Sequence, residues 1–419
     1  MTMTSARPPL KPLDAALSEL LGFAQTLGKV EQVSTFDADN RVLAQDVVSA
    51  LRVPPVDNSA MDGYALRCAD VVAAGTVLQV SQRIAAGSSG APLQAGTAAR
   101  IFTGAPVPAG ADAVVMQEDC EAIGDASAVA GPNGPSVRVQ LIPRLGQNIR
   151  RAGEDVQRDA VVLQQGQRLT PASLGLAASV GLPTLRVARR PRVALFSTGD
   201  ELVMPGDVAP GDMKPGAIYN SNRFFQRALL VRLGCTVTDL GIVPDKRDAT
   251  VEALRVASRE HDLVLTCGGV SVGEEDHVRP AVMALGQLVM WQLAIKPGKP
   301  FAYGRVGAAH FIGLPGNPVS SLVTFMLLVR PFLLRLQGMQ DVTPRALSMR
   351  ADFSWPRADH RREFLRARLN ASGGLDLFTN QSSGVLTSAV WGDGLVDNAA
   401  GATIAPGSNV RFLPFADLL

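Results

Sequence analysis

The sequence has little cysteine and little histidine, four of each in 419 residues. Cys68, Cys120, Cys235 and Cys267 lie far apart and form no CxxC pair. That spacing argues against a disulfide framework and against a cysteine-rich zinc site. Their expected state is the buried free thiol of a reducing cytoplasm, and Cys267 reads as a strand-end residue rather than a reactive one. His261, His277, His310 and His360 make no HExxH motif and no close pair, and His277 reads as a solvated loop residue. Excess charge is also missing. Forty Lys and Arg against 38 Asp and Glu leave a net charge of +2, too small for a general binder of nucleic acid or membrane surfaces. Met1 to Leu10 hold no apolar run, so no secretory signal is expected. The greasiest stretch, Val319 to Leu334, is interrupted by Ser320, Ser321, Arg330 and Pro331 and reads as a buried helix rather than a membrane span.

What the chain has instead is turn-forming residues, 40 glycines and 28 prolines, which imply many tight turns and much β structure. A hydrophobic fraction of 47% with 19% charge is that of a globular protein. The length calls for more than one domain. Apolar residues at helical spacing predict an amphipathic helix over Leu13–Leu27, followed by a helical or extended stretch through Arg41–Val48. From Leu51 to about Arg144, short β-rich runs (Val77–Val80, Ala98–Phe102, Ala113–Met116, Val137–Leu141) alternate with turn clusters. Gly146–Leu185 holds a short strand pair and a helix, Pro171–Val180, with Thr170 as N-cap. Val193–Leu336 then alternates strand and helix, the pattern of a sheet covered on both faces. Its expected elements are strands at Val193–Phe196, Thr236–Val243, Leu263–Cys267 and Leu288–Ile295, and helices at Asn222–Leu233, Ala249–Glu260 and Asp276–Leu285. A hairpin is expected over Phe301–Leu314, followed by a long helix capped by Asn317 with Pro318 in its first turn. From Ala346 onward short strands return (Phe364–Leu369, Gly374–Phe378, Asn409–Pro414), as in a small barrel or sandwich.

Three glycine-rich loops carry the chemistry: Ser197-Thr198-Gly199-Asp200-Glu201, Gly268-Gly269-Val270-Ser271-Val272-Gly273 leading to Asp276, and Gly313-Leu314-Pro315-Gly316-Asn317-Pro318. Each follows an apolar run. In an open parallel sheet, loops leaving neighbouring strands converge on one crevice, and glycines let backbone N–H groups approach an anion. Taken singly, Glu201 and Asp276 read as cap or turn carboxylates and Asp245 as a plain turn. Together they bring an acid from each of three consecutive strands to one edge, and converging carboxylates call for a cation such as Mg²⁺ shared with a phosphorylated ligand. Lys296 and Lys299 sit on a stiff Lys-Pro-Gly-Lys-Pro turn. Arg366, among Arg361, Arg362 and Arg368, fits either an anion contact or a solvated face. Asp57 reads as a local Asx-turn and Asp62, before Gly63, as a turn residue.

Jointly and in this order, Asp57–Tyr64, Phe102–Pro106, Gly153–Asp155, Ser197–Leu202, Gly268–Asp276, Ile295–Pro300 and Gly313–Ser320 resemble the molybdopterin molybdenumtransferase family, which includes the C-terminal domain of gephyrin. The resemblance covers the chain from about Leu13 to its end. It implies a multi-domain α/β plus β fold. The expected parts are an elongated N-terminal linking domain (8–50 and 145–189), an inserted β-rich domain (51–144), a three-layer α/β/α molybdopterin-binding domain (190–340) and a small C-terminal β-barrel (341–419). It also implies a cytoplasmic homodimer that inserts molybdate into adenylylated molybdopterin, with Mg²⁺-dependent release of AMP and, among its partners, the adenylyltransferase of the same pathway. Carried over by motif, the catalytic acids are Asp62, Asp155, Glu201, Asp245 and Asp276, with Glu201, Asp245 and Asp276 holding the metal. The substrate-binding set is Thr103, Ser197, Thr198, Gly199, Gly268, Gly269, Ser271, Lys296, Lys299, Gly316, Asn317, Pro318, Arg366 and Ser383. Two positions depart from the family pattern: Gln292 stands where many relatives carry lysine, and Ser382 replaces a glycine in Gln381-Ser382-Ser383-Gly384. An adenylyltransferase that activates molybdopterin, and a scaffold that binds partner peptides, are the competing readings.

Overall fold

The structure, a computed structural model, describes residues 9–124, 134–269 and 277–418. Its central six-stranded sheet runs in the order Thr236–Val243, Arg192–Thr198, Leu263–Cys267, Ala309–Leu314, Pro300–Val306, Gly286–Gln292. The first four strands are parallel and the last two antiparallel. Alternation along these strands sends Leu195, Leu265, Ile312 and Leu314 to one face, with the Asn222–Arg232 helix, the Pro318–Leu336 helix and the N-terminal Leu13–Phe23 helix. Ala194, Phe196, Val264 and Phe311 turn to the other face, under the Arg247–Glu260 and Val278–Leu285 helices. This is the expected three-layer arrangement.

The long apolar helix differs from expectation at its start and middle. The Asn317 side chain makes no capping bond; the Val319 N–H is taken instead by the carbonyl of Ser383, 2.9 Å away. The helix runs as Pro318–Thr324, a π segment at Phe325–Val329, then Arg330–Leu336. Pro331 has no N–H to give the preceding turn, and a π segment just before it absorbs the mismatch. By length and composition the helix would cross a membrane, yet it is 83% buried inside the protein.

The stretch expected as one strand over Leu288–Ile295 is two. Gly286–Gln292 ends the central sheet, and Ile295–Lys296 pairs with Arg362–Glu363 in the C-terminal sheet. Lys11 bridges the break, donating to Gln292 and accepting from Ala294. The C-terminal sheet continues through Arg362–Leu369, Gly394–Asn398, Asn409–Pro414 and Leu347–Arg350. Leu375–Leu377 pairs with Arg362–Leu369 and bridges back from Leu375 to Ala351, which closes a small barrel around Leu365, Ala367, Val396 and Phe412.

In the inserted module six strands order as Ala113–Met116, Gly63–Leu66, Thr97–Ile101, Thr76–Ile84, Ser136–Val139, Cys120–Ile123. Gly63–Leu66, hidden behind a dense turn sequence, is a buried interior strand. A Cβ at Gly63 would lie 1.9 Å from the Val115 carbonyl oxygen, so only glycine fits there. Val30–Ser34 pairs with Thr184–Ala188, and Val47–Val48 with Val161–Leu163, so segments before and after the insertion share one core. Thr170 caps the Pro171–Ser179 helix as expected. The N-terminal helix stops at Phe23, short of Leu27.

His310 is 6% exposed, with Nδ1 2.9 Å from the Tyr303 hydroxyl and Nε2 3.3 Å from Arg305 Nη1. A guanidinium only donates, so Nε2 accepts and the proton sits on Nδ1. Burial, with Arg305 adding to it, pulls the imidazole down to about 4. A folded-state value below the unfolded one means that protonation favours unfolding. The contribution is intact above pH ~6.5, is lost as pH falls, and levels off near pH ~4. At pH 5 the loss is about 2 kcal/mol. Denaturant titrations should show a flatter pH dependence in His310→Gln than in wild type between pH 7 and 5; equal slopes would contradict this account.

Candidate active site

Four parallel strands end side by side. Thr198 is level with Val243, Ser197 with Cys267, and Cys267 with Leu314. The loops that leave them at Gly199, Pro244, Gly268 and Pro315 therefore open on one edge, as the loop pattern predicts. Gly199 has φ +142, and a Cβ there would come within 2.6 Å of Glu201 Oε2, so the Glu201 carboxylate folds back over it. Gly268 (φ +91) and Gly269 (φ +64) press against Thr198 and Val278, where Cβ atoms would come within 2.9 Å of the Thr198 carbonyl oxygen and 2.4 Å of Val278 Cγ2. Asp200 Oδ1 accepts the Asp245 N–H at 3.4 Å, which ties the first two loops together. Asp200 and Glu201 are exposed and Asp245 is half-buried. Ser271 and Asp276 lie outside the described residues.

Beside Glu201 a cavity of about 460 Å³ is lined by Asp200, Asp212, Lys214 and Gly216 among others. Lys214 had no motif to mark it. Among the described residues no three carboxylate, imidazole or thiol groups converge to hold a metal alone. The donors present, Asp200, Glu201 and Asp245, are hard oxygen ligands. They suit Mg²⁺, which takes one or two carboxylates and completes its shell with phosphate oxygens and water.

Beneath the loops lies a buried polar layer. Asn222 Nδ2 donates to the Gly316 carbonyl at 2.7 Å and approaches Cys267 Sγ at 2.9 Å. The Cys267 thiol donates to the Pro315 carbonyl at 3.3 Å, and Gln226 donates to Ser321 Oγ at 2.7 Å. Burial pushes the Cys267 thiol up, so it stays protonated. Ser197 and Thr198 are buried at the strand end, and Ser197 Oγ has no hydrogen-bond partner among the described residues. Asn222 and Gln226 escaped the sequence reading because both sit within an ordinary amphipathic helix.

The expected cations are largely neutralised. Lys296 Nζ lies 3.1 Å from Glu363 Oε1 and 3.3 Å from Asp359 Oδ2. Arg366 is 1% exposed and reaches Ser388 Oγ, the Phe364 carbonyl and the Ser382 carbonyl at 3.0, 3.2 and 3.2 Å. Burial among neutral oxygens lowers its guanidinium to about 10. It is no solvated face; it holds the 382–384 loop whose Ser383 carbonyl caps Val319. Positive φ outside glycine occurs at Asn40, Asn148 and Asp159 among the described residues. Ser382 is not one of them, so its replacement of glycine brings no left-handed strain. Lys299 is half-buried.

A second cluster gathers three distant turn motifs in the inserted module and its neighbour. Asp62 Oδ1 accepts from the Thr103 N–H at 2.8 Å and the Thr103 hydroxyl at 2.7 Å. These bonds hold its carboxyl below the usual range. Asp57 makes no local Asx-turn: it accepts from the Ala152 N–H and from Arg151, 95 and 94 residues away. The next two residues, Asn58 and Ser59, pair with Arg150 and Ile149, which brings Asp57 beside Arg151 and Ala152. Exposed Asp155 follows, its N–H given to the Val53 carbonyl. Arg100 stacks on Tyr64 and Phe102 and donates to the Gly63 carbonyl, bracing both sides of the Asp62–Thr103 contact.

Strand-end loops over a carboxylate-lined crevice, flanked by an inserted β module and a terminal barrel, define a multi-domain α/β protein with its site outside the sheet. Three family models match it in order: MoeA N-terminal region (domain I and II) at 11–181, probable molybdopterin binding domain at 194–335, and MoeA C-terminal region (domain IV) at 348–415. The chain belongs to the molybdopterin molybdenumtransferase family. A protein of that name from Haemophilus influenzae is 42% identical over 329 residues, covering 78% of each chain. One from Synechococcus elongatus is 37% identical over 394 residues, 90% of this chain and 92% of that one. The crystal structure of the molybdopterin biosynthesis moeA protein from Pyrococcus horikoshii OT3 superposes with a TM-score of 0.82 at 27% identity, covering 97% of this chain and 100% of that one.

The glycines of the site should separate by role. Gly269→Ala meets positive φ and a 2.4 Å contact and should cost about 1–3 kcal/mol of stability. Gly316→Ala enters open space without positive φ and should stay within about 0.5 kcal/mol. Denaturant melts giving the reverse order would refute this assignment.

Proposed function

We propose that the protein transfers molybdenum to molybdopterin, taking molybdate and adenylylated molybdopterin and releasing AMP with Mg²⁺. The observation that carries this reading is the strand-end crevice, where Glu201 and Asp245 follow adjacent parallel strands beside the glycine turns at Gly199 and Gly268. Relatives named molybdopterin molybdenumtransferase support the reaction class. In this reading Glu201, Asp245 and Asp276 hold Mg²⁺, which supplies positive charge to the phosphate oxygens as the anhydride breaks. The loop backbones at Gly199, Gly268, Gly269, Ser271, Gly316 and Asn317, with Pro318 fixing the turn, seat the nucleotide and diphosphate, and Ser197 and Thr198 line the floor. Lys296 and Lys299 face the molybdate side. Lys296 brings its charge there only by sharing it with Asp359 and Glu363. Arg366 acts from below, by fixing the Ser383 loop.

Asp62 and Asp155, with Thr103, complete the catalytic set from the inserted module and its neighbour. We place them opposite the crevice of a second copy in a homodimer, with the domain division at 50, 144, 189 and 340 as the frame. Four free cysteines support a reducing, cytoplasmic location. Activation of molybdopterin by ATP is the neighbouring chemistry, carried out by a separate partner enzyme. It releases pyrophosphate, so product analysis separates the two.

Glu201→Ala removes an exposed carboxylate and should leave the melting temperature near that of wild type, whereas Asp62→Ala also gives up the two Thr103 bonds and should lower it without unfolding the protein. Each should slow AMP release from adenylylated molybdopterin and molybdate by about 10²–10³. Near-normal turnover in both would contradict the assignment. Pyrophosphate release from molybdopterin and ATP would replace it with the adenylyltransferase reading.

A further inference from the structure

The Gly-Leu-Pro-Gly-Asn-Pro turn is held from below. The Pro315 carbonyl accepts from Cys267 Sγ at 3.3 Å, and the Gly316 carbonyl accepts from Asn222 Nδ2 at 2.7 Å. Both donors are buried, Cys267 at 3% and Asn222 at 8% exposure. Asn222 also donates to the Cys267 sulfur, so the two donors brace each other. Cis peptides occur at Val53–Pro54 and Lys296–Pro297 among the described residues, so those after Pro315 and Gly316 are trans. In a trans peptide the carbonyl and the following N–H point in opposite directions. Two carbonyls drawn inward therefore turn the Gly316 and Asn317 N–H groups outward, over the crevice edge. Both residues are exposed, and neither N–H donates to a protein acceptor among the described residues. Pro318 has no N–H, and the next one, on Val319, is occupied by Ser383. The turn thus offers two successive free N–H groups, the arrangement that binds an anion.

We infer that Asn222 and Cys267 are positioning residues which set the Gly316–Asn317 peptides as a two-donor seat for one tetrahedral oxyanion, a phosphate group or molybdate. The identity of the anion rests on the proposed function; the seat does not. Cys267 serves here as a hydrogen-bond donor, a role suited to a thiol kept protonated by burial. The two donors themselves carry no charge, which fits a site where Lys296 and Arg366 already have oxygen partners. Glycine at 316 also leaves open the space in front of the turn, since a Cβ there would touch nothing within 4 Å.

The test is amide NMR of the full chain, selectively ¹⁵N-labelled at glycine and asparagine, titrated separately with AMP and with sodium molybdate. The Gly316 and Asn317 resonances should shift with at least one of them, and which one identifies the anion. Calorimetry should then show binding weakened about tenfold in Asn222→Ala. Cys267→Ala should weaken it too, and Cys267→Ser, which restores a donor, should recover most of the loss. Both amide shifts should shrink in the alanine variants while the rest of the spectrum is kept. Unmoved wild-type amides with both anions, or wild-type affinity in Asn222→Ala and Cys267→Ala, would overturn the inference. If Asn222→Ala does not fold, the Cys267→Ala and Cys267→Ser pair decides alone. Anion binding with these shifts but no AMP release in turnover would count against the molybdenum-transfer reading and leave the seat standing.

Discussion

Thr198 beside Val243, Ser197 beside Cys267 and Cys267 beside Leu314 set the register on which the crevice depends. Backbone ladders, not side chains, bring those four strand ends level. Side-chain chemistry follows from that alignment. Gly199 lets Glu201 fold back, Asp200 takes the Asp245 N–H, and Gly268 and Gly269 close against Thr198 and Val278. A slip of one residue would exchange the faces of a strand and bury its loop. The two cores on either side of the sheet resist that slip, because each alternate residue is already packed.

Charge within the site is balanced in an uneven way. Lys296 is paired and Arg366 is buried, while the acids at Glu201 and Asp155 are exposed and Asp62 is half-buried against Thr103. A surface so arranged repels a polyanion unless a divalent cation stands between them, or unless backbone N–H groups bind the anion directly. The proposed function uses both. Carboxylates at one side suit a cation, and the Gly316–Asn317 peptides at the other present donors without charge.

Strand and helix alternation from Val193 to Leu336 was legible because apolar runs and glycine turns repeat there with clear period. Thr236–Val243 and Leu263–Cys267 match residue for residue. The fold escaped where short elements depend on distant partners. Gly63–Leu66 looked like the tail of a turn and is an interior strand; Ile295 looked like the end of one strand and starts another. The same holds in the site. Loop acids announce themselves by their place after a strand, whereas the Asp57 bond to Arg151, the buried state of Arg366 and the Asn222–Cys267 brace arise only from tertiary packing. Family motifs supplied what periodicity lacked, above all Asp62 with Thr103, which the fold joins by two hydrogen bonds.

The central claim is that the crevice holds a phosphate through a cation shared with Glu201. Calorimetry of AMP binding, with Mg²⁺ and with chelator, tests it on wild type and Glu201→Ala. Wild type should bind about tenfold or more tightly with Mg²⁺, and Glu201→Ala should lose most of that difference. Equal affinity for AMP with and without Mg²⁺ in wild type would contradict the account.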